Sequence, residues 1–468
     1  MKSHDRLEVN SLTEQRQPVW SPAGPQALDW ALSVTDTDPK LYLKPPPEVS
    51  LADWKHPAIG WGLILPYRSG LNARQLASAD DAPEPIRQLR EARNNAPVFR
   101  YRPGWGFNAT RIKNYAAPRS VPLSGGKMGA ARDALPYYLL ICATPEEIPW
   151  QFQYQLNMTH AVGRLDLTPG GLKNYVRALL VDWRNAEADS SSPIVWAAEN
   201  NDEITRLMRA AIAQRIFAEM KKDEDLTDKA RLMVGGEATC ENLIAALEEA
   251  APGLIITTSH GRTHPWTKPP EMRSNLGRMM DVNNSTLDLK KLLLRWQPDG
   301  AVWYAHACCS AGSDAHSVYA GLVEEQSGIG QLLKAVAGLG SGVAPLPRAL
   351  LGARRPLRCF IGHVEPTFNW ILRQPGTPDH LTAPLCKALY NELYWMKPVG
   401  LALQQLYRHL AALSSQHDTE RKKCNQGAGN NTVLIYTRLA QCDIKSTVIL
   451  GDPVVTLPPL PRAGADVV

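Results

Sequence analysis

Short runs of apolar and β-branched residues, each ended by turn residues, recur along the chain and alternate with segments of helical spacing. The runs lie at 58–66, 136–142, 194–197, 254–258, 301–305, 357–363 and 447–450. Runs of this length and composition predict buried strands of a parallel sheet. Because they alternate with helices, the pattern predicts an α/β fold with a mostly parallel, doubly wound central sheet flanked by helices.

Two segments show the strongest helical spacing. Residues 200–222 are amphipathic, with Asp202 in the first turn. The second predicted helix covers residues 239–250, and Thr239 at its start is a good N-cap residue. Residues 151–160, by contrast, have a pattern that we interpret as extended.

The chain has 468 residues, more than one hydrophobic core usually holds, so two domains or one large domain with an extension are expected. Residues 1–56 are rich in Pro, Ser, Asp and Thr, which predicts a loosely ordered N-terminal arm. We expect an N-terminal α/β subdomain at 57–190 and a catalytic α/β domain at 191–468. The polar segment 416–432 is predicted to be mobile.

Composition narrows the class of protein. Apolar residues make up 44% and charged residues 21% of the chain, as in ordinary globular proteins, and a net charge of +5 indicates no nucleic-acid surface. No run is long enough to span a bilayer, and the N-terminus is too polar for a signal peptide. The eight cysteines lack CxxC spacing, which favours a reducing, cytoplasmic setting. The glycine-rich segments lack the phosphate-binding pattern, so we predict no nucleotide or other cofactor.

Reactive side chains follow two of the predicted strands. His260 and Gly261 come directly after the run 254–258, and Cys308 follows the run 301–305. Open α/β sheets place their chemistry just past the carboxyl ends of such strands, so a histidine base and a cysteine nucleophile should meet at one edge. The separation of 48 residues (308 minus 260) matches the caspase signature, in which the histidine lies roughly 50 residues upstream. Gly261 allows the backbone to approach a substrate and donate its N–H to a developing oxyanion.

These motifs carry a family resemblance. The Ser-His-Gly and His-Ala-Cys motifs, each behind a hydrophobic block, resemble the caspase/gingipain clan of cysteine peptidases, which includes separase, legumain and CHAT-domain peptidases. Blocks that resemble bacterial gingipain-like members are PYYLLICATPEEIPWQFQYQL, HAVGRL, GGEATCENLIAAL, ACCSAGSD, CFIGHVEPTF and VILGDPVV. Together they extend over residues 61–457, which is most of the chain.

The resemblance implies a caspase-like three-layer α/β sandwich and peptide-bond hydrolysis by a Cys-His dyad. Cys308 matches the family's nucleophile and His260 its base. His306 matches a residue that lines the substrate pocket, and a histidine packed at the end of its strand is an equally good interpretation. The chain departs from caspases after the nucleophile, where Cys309 begins the sequence Cys-Ser-Ala-Gly, and it has no obvious acidic cleavage linker. Aspartate specificity and caspase-style maturation are therefore not expected.

The expected reaction is attack of Cys308 on a protein substrate, with His260 protonating the leaving amine. The N–H groups of Gly261 and Cys308 are the expected oxyanion donors. Cys309 is the less favoured nucleophile, because on a strand its side chain would point away from that of Cys308. Asp314 could give the substrate pocket an acidic floor that favours Arg or Lys, although a solvated loop residue is the simpler interpretation.

Two other functions stay open. His260, His264, His306 and Cys308 could supply zinc ligands for a hydrolase, but Pro265 and the preceding β-branched run disfavour the helix that an HxxxH site needs. A catalytically silent scaffold that binds partner proteins is the remaining alternative. For a peptidase, the resemblance makes a regulated role in bacterial antiviral defence or cell death plausible, with an activating or inhibiting protein partner and control by self-cleavage as further expectations.

Overall fold

A computed structural model describes residues 6–33, 49–102, 110–117 and 119–460 of the chain. Its strands are β1 (Arg6–Leu12), β2 (Pro18–Pro22), β3 (Trp61–Pro66), β4 (Val98–Tyr101), β5 (Arg111–Asn114), β6 (Val121–Pro122), β7 (Tyr138–Cys142), β8 (Ala161–Leu165), β9 (Ile194–Ala197), β10 (Arg231–Met233), β11 (Leu254–Thr258), β12 (Val302–His306), β13 (Gly312–Ser313), β14 (Gly342–Val343), β15 (Cys359–His363) and β16 (Thr447–Gly451).

The helices are α1 (Pro25–Leu32), α2 (Ala73–Ser78), α3 (Glu84–Ala92), α4 (Trp150–Asn157), α5 (Pro169–Leu180), α6 (Glu203–Met208), α7 (Arg215–Met220), α8 (Cys240–Ala250), α9 (Pro269–Asn275), α10 (Leu289–Arg295), α11 (Gly328–Gly338), α12 (Pro345–Leu351), α13 (Ala383–Lys387), α14 (Val399–Ala402), α15 (Gln404–Asn425) and α16 (Asn431–Ser446). A π-helical turn, Arg209–Gln214, joins α6 to α7, so the predicted helix over 200–222 is confirmed with a local widening. Thr239 caps α8 as predicted, since its hydroxyl accepts from Asn242 N at 3.2 Å.

Twelve of the described strands form one sheet, in the order β10-β9-β11-β12-β15-β16-β8-β7-β3-β4-β5-β6. Neighbouring strands run parallel except in the pairs β15–β16, β4–β5 and β5–β6. Helices flank this sheet, so the predicted α/β class with a mostly parallel central sheet is confirmed, and the arrangement is consistent with a caspase-like sandwich. The segments 57–190 and 191–468 share the sheet, because β16 of the second lies beside β8 of the first.

The central strands are buried along their whole length. Every residue of β11 and of β12 is buried, which explains why their sequences are continuous apolar runs rather than alternating ones. Where a polar group enters this layer it is paired: the indole N–H of Trp303 donates to the hydroxyl of Thr257 at 3.0 Å. The two strands that precede the predicted dyad residues are therefore buried parts of the core.

The N-terminal residues are more ordered than their composition predicts. Strands β1 and β2 form an antiparallel hairpin, and α1 packs against α16, where the Arg438 guanidinium lies 4.2 Å from the Trp30 ring centroid. The prediction of a loosely ordered arm at 1–56 is therefore wrong for residues 6–33. Residues 1–5 and 34–48 lie outside the described part of the chain. The hairpin is stable here because apolar residues on β1 are buried against the body of the protein.

Two other segments differ from their predictions. Residues 151–160, predicted to be extended, lie largely in the helix α4, whose buried residues include Phe152 and Leu156 at helical spacing. The polar segment 416–432, predicted to be mobile, is mostly helical, because α15 continues to Asn425 and α16 begins at Asn431. The side chain of Asn430 caps α16 by accepting from two backbone N–H groups. The polar residues of this segment therefore belong to the two packed helices α15 and α16 and to the turn between them.

Candidate active site

His260 and Cys308 lie at the same place on neighbouring strands. Strands β11 and β12 are parallel, with Thr258 opposite His306, and each reactive residue follows two positions later. The two turns are tied together, since Ser259 N donates to the carbonyl of His306 at 3.3 Å. His260 and Cys308 are both fully buried. The structure therefore brings the predicted base and nucleophile to one rim of the sheet, as the strand ends indicate.

Gly261 lies directly against the backbone of Cys308. A Cβ atom on Gly261 would lie 2.0 Å from the carbonyl oxygen of Cys308 and 2.8 Å from its nitrogen. Only glycine permits this approach, because real Cβ atoms do not come so close to backbone atoms. The N–H of Gly261 donates to the carbonyl of Asn10 at 3.4 Å. This predicted oxyanion donor thus already faces a peptide carbonyl.

Asp202 completes the site, and the sequence pattern alone did not assign it this role. Its Oδ2 accepts a hydrogen bond from His260 Nε2 at 2.8 Å, and both side chains are almost fully buried. Its Oδ1 accepts from the backbone N–H of Thr205 at 2.9 Å and from the Thr205 hydroxyl at 2.6 Å, which caps α6. One carboxylate therefore starts a helix and orients the histidine. The available signal was an N-cap aspartate after β9, the strand next to β11.

The hydrogen bond between His260 and Asp202 affects the pKa of the aspartate and the orientation of the histidine ring. Burial acts most strongly on the pKa of Asp202 and raises it, but the hydrogen bond and charge of His260 and the two hydrogen bonds from Thr205 together outweigh burial, so this pKa is lowered below its ordinary value. When Nε2 donates its hydrogen to the carboxylate, Nδ1 is the ring nitrogen left to exchange a proton. Among the described residues, Nδ1 is buried without a hydrogen-bond partner. The ring is thus held with one basic nitrogen free for proton transfer.

The thiol of Cys308 is held in its protonated form. Burial raises its pKa to about 12, although nearby N–H groups, of Thr367 and Asn10, act in the opposite direction. The backbone N–H of Thr367 donates to the Cys308 sulfur at 3.3 Å, and this sulfur lies 3.9 Å from the carbonyl oxygen of Thr367. A sulfur that already accepts an N–H bond is placed to be stabilised as a thiolate once solvent or substrate changes its surroundings.

Cys309 occupies a different environment from Cys308. The prediction that both cysteines continue the strand is wrong, because β12 ends at His306 and the cysteines lie in the following turn. Cys309 has a φ of +56°, and its N–H donates to the carbonyl of Glu365 at 3.2 Å. Burial raises its pKa well above the ordinary value, followed by the effects of Cys308 and Glu365. The contacts to Thr367 and Gly261 favour Cys308 as the reactive thiol.

His306 lies in a buried polar chain. Its Nδ1 shares a hydrogen bond of 2.8 Å with the hydroxyl of Tyr304 and lies 3.2 Å from Nε2 of His363. Burial, followed by the neighbouring His363, lowers the pKa of His306 well below its ordinary value, so the ring is neutral. His306 also lines a cavity of about 50 Å³ with mostly apolar walls, which contains Asp443 at its edge.

Asp314 is placed away from this cavity. Its carboxylate accepts from the hydroxyl of Ser341 at 3.0 Å, from the side chain of Gln151, and from His316 N at 3.1 Å. Burial raises its pKa, although these hydrogen bonds act against the shift. These partners tie Asp314 to α4 and the approach to β14. None of these hydrogen bonds of Asp314 is to His260 or Cys308.

The zinc ligand set is not assembled. Within residues 6–33, 49–102, 110–117 and 119–460, no three His, Cys, Asp or Glu side chains lie in a group that could hold a metal ion. His260, the first residue of the proposed set, is instead bonded to Asp202. The residues of that alternative thus do not fit a metal site.

No family model and no curated protein sequence matches the chain. In the part of the chain that the structure describes, no helix combines the length and the apolar character needed to cross a bilayer.

Proposed function

We propose that the chain is a cysteine peptidase that hydrolyses peptide bonds in protein substrates with Cys308 and His260. The observation that carries this proposal is the hydrogen bond from His260 to the buried carboxylate of Asp202, next to a glycine turn packed on Cys308. A nucleophile, a base and a group that orients the base are the three parts of an acyl-transfer site. The resemblance to the caspase/gingipain clan agrees with this assignment.

The proposed mechanism assigns one role to each group. His260 accepts the thiol proton at Nδ1, and the Cys308 sulfur bonds to the scissile carbonyl carbon. The carbonyl electron pair moves to oxygen, where the N–H groups of Gly261 and Cys308 stabilise the negative charge. When the pair returns, the C–N bond breaks and His260 gives its proton to the leaving amine. Water then adds to the thioester, and the acid product and the thiol are released.

Asp202 supports this cycle without exchanging a proton. Its lowered pKa keeps it ionised, so that it holds the ring in the tautomer with Nδ1 basic and stabilises the imidazolium after proton transfer. His306, two residues before the nucleophile, is proposed as the wall of the pocket for the substrate residue before the cleaved bond.

A non-catalytic scaffold is the second candidate, because Cys308 is fully buried and its pKa is raised to about 12. A thiol in that state does not attack a carbonyl. For the peptidase, a cytoplasmic location and a regulated role in bacterial defence or cell death are proposals that rest on the resemblance. A protein partner that activates or inhibits the enzyme belongs to the same proposal.

A peptide-library digest tests the function. The full-length chain is incubated with a diverse peptide mixture and the products are sequenced by mass spectrometry. Cys308→Ala should abolish cleavage, whereas Cys309→Ala, the neighbouring thiol, should retain it within about threefold. Cleavage that survives Cys308→Ala would contradict the assignment of the nucleophile. A chain that cleaves nothing, even after the release of the segment described next, would support the scaffold.

A further inference from the structure

The groove beside Cys308 is filled by β1, a segment of the same chain. On one rim, Asn10 N donates to the carbonyl of Thr367 at 2.8 Å, and Val9 forms an antiparallel bridge with Phe368. Thr367 is the residue that donates its N–H to the Cys308 sulfur. Strand β1 thus pairs with the stretch that follows β15 through main-chain contacts, as an extended peptide does when it adds to an open backbone edge.

The opposite rim is contacted by the same residue. The carbonyl of Asn10 accepts from the N–H of Gly261 at 3.4 Å, and its side-chain amide donates to the carbonyl of Ser259 at 2.7 Å. The N–H of Asn10 is also among the groups that act on the pKa of Cys308. The N–H of Asn10 thus acts on the proposed nucleophile, and the carbonyl of the same residue lies on the proposed oxyanion donor. That is the position of a scissile carbonyl.

Burial and anchoring keep β1 in place. Leu7, Val9 and Leu12 are almost fully buried, as are the dyad residues beneath the strand. The side chain of Asn369 accepts from Glu8 N at 3.2 Å and donates to the carbonyl of Arg6 at 3.2 Å, which fixes the strand at its start. The hairpin partner β2 and the packing of α1 on α16 anchor the far end.

We propose that β1 is an intramolecular substrate mimic that closes the active site, with Asn10 in the place of the residue whose carbonyl is attacked. This inference rests on the proposed function. It also defines the substrate class: an extended polypeptide that pairs antiparallel to residues 367–369, with a small amide or similar polar side chain at the Asn10 position. In the closed state burial keeps the Cys308 thiol protonated, so the bond after Asn10 stays intact.

Alkylation of Cys308 in the full-length protein measures whether β1 covers it. Iodoacetamide is the probe and peptide mapping gives the rate. Val9→Asp puts a charge at a fully buried position of β1, so it should release the strand and speed alkylation of Cys308 by about tenfold or more. Gln15→Asp adds the same charge in the exposed turn of the same hairpin and should stay within about twofold of wild type.

A milder variant guards against misfolding. Asn369→Ala removes two hydrogen bonds to β1 and should speed alkylation about threefold to tenfold. The synthetic peptide RLEVNSL, added in excess, should slow alkylation of the Val9→Asp variant by refilling the groove. If Val9→Asp and Asn369→Ala both fold and both react at the wild-type rate, β1 is not a cover and the inference fails.

Cleavage separates this inference from the proposed function. Faster alkylation of Cys308 in Val9→Asp, without cleavage of any library peptide, would support β1 as a cover of Cys308 and contradict the proposed peptidase activity. If wild type cleaves the peptides as fast as Val9→Asp does, the result would support the peptidase activity and contradict the proposal that β1 covers the site. Both gains together, suppressed by RLEVNSL, would support the mimic.

Discussion

At the residue scale, the chemistry depends on how Asp202 holds the ring of His260. The carboxylate receives Nε2–H, so Nδ1 is left as the atom that, in the proposed mechanism, exchanges protons with Cys308 and the leaving amine. Without the carboxylate, either nitrogen could carry the proton and the imidazolium would lose its nearest countercharge. The contribution of Asp202 is therefore to catalysis more than to substrate binding.

Asp202→Asn should lower kcat/KM by about 10²- to 10⁴-fold with little change in KM, because the amide stabilises the wrong tautomer and no imidazolium. The measurement is steady-state cleavage of a library-derived peptide in the Val9→Asp background. Glu203→Gln, one residue further on and paired with Arg373 instead, is the matched control and should retain activity. Equal losses in both variants would argue that only helix α6 was disturbed.

Gly261→Ala tests the close approach of the two turns. The added methyl group would overlap the carbonyl of Cys308, so we expect a loss of about 1–3 kcal/mol in the free energy of unfolding and the loss of activity. Urea unfolding followed by fluorescence gives the first quantity. Gly236→Ala, at a position where a Cβ meets nothing within 4 Å, should change neither. A Gly261→Ala enzyme with wild-type activity would show that this glycine has no role.

The dyad could be predicted from the sequence because both residues directly follow apolar runs that become neighbouring strands. Asp202 could not be assigned to His260, since 58 residues separate them and the contact depends on which strand lies next to β11. For Asp314, closeness in sequence to Cys308 gave a misleading indication of its contacts. It follows the nucleophile closely in sequence, yet its hydrogen bonds lead to α4 and away from the dyad.

At the element scale, the hairpin of β1 and β2 decides whether the site is open. The carboxyl of Glu8 on β1 has its pKa raised to about 7 from 4.5, because it is buried and because the charge of Asp202 lies nearby. Glu203 adds to the rise, while Arg6 and His260 oppose it. A released β1 would return Glu8 to water and to its ordinary pKa.

The sign of the pH effect follows from this difference. Below about pH 4.5 Glu8 is protonated whether β1 is docked or released, so docking has its full strength. As the pH rises toward 7 and beyond, docking requires the carboxyl to keep a proton that the released strand would lose. The docked state therefore weakens as the pH rises through this interval.

We expect the alkylation rate of Cys308 in wild type, divided by that in Glu8→Gln, to rise on the order of tenfold between about pH 5 and about pH 8. The ratio cancels the intrinsic pH dependence of the thiol, which both proteins share. Glutamine is uncharged throughout, so its docking has no such dependence. A ratio that stays constant over the interval would show that Glu8 does not control the strand.

The elements differ in how well their sequences predict them. Strands β11, β12 and β15 could be predicted because they are buried on both faces and hence continuously apolar. Strand β1 was missed because a Pro- and Ser-rich composition surrounds a run in which polar Glu8 and Asn10 are also buried. Their burial depends on partners from distant parts of the chain, which local pattern does not reveal.

At the scale of the whole molecule, one sheet unites both halves of the chain. The join is β16, which runs antiparallel to β15 and parallel to β8. Directly after β16, Asp452 forms an ion pair of 2.8 Å with Arg93, and both side chains are buried. The Arg93 guanidinium also lies over the Trp54 and Trp61 rings at 4.7 and 4.4 Å. This cluster connects the C-terminal part of the chain to the N-terminal half.

Arg93→Ala should lower the free energy of unfolding by about 3–5 kcal/mol, because it leaves the buried carboxylate of Asp452 without its partner. Chemical denaturation monitors the loss. Arg87→Ala removes an exposed pair with Glu84 on the same helix and should change stability by less than about 1 kcal/mol. If the two variants were equally stable, the cluster would not hold the halves together.

The parallel α/β class could be predicted from alternating strands and helices, but the place of β16 could not. Its short, fully buried apolar run resembles that of a parallel strand, and nothing in the run indicates that it pairs antiparallel with β15. The continuity of the sheet across residue 190 therefore had to come from the structure.

The most direct measurement of the whole account is a covalent trap. The peptide acetyl-Leu-Glu-Val-Asn acyloxymethyl ketone reproduces residues 7–10 and presents an electrophilic carbon where the scissile carbonyl would lie. Intact mass and peptide mapping of the full-length Val9→Asp protein should show one adduct per chain, on Cys308, that is lost in His260→Ala and slowed by excess RLEVNSL. An adduct on another cysteine, or no adduct on a folded Val9→Asp protein, would contradict the account.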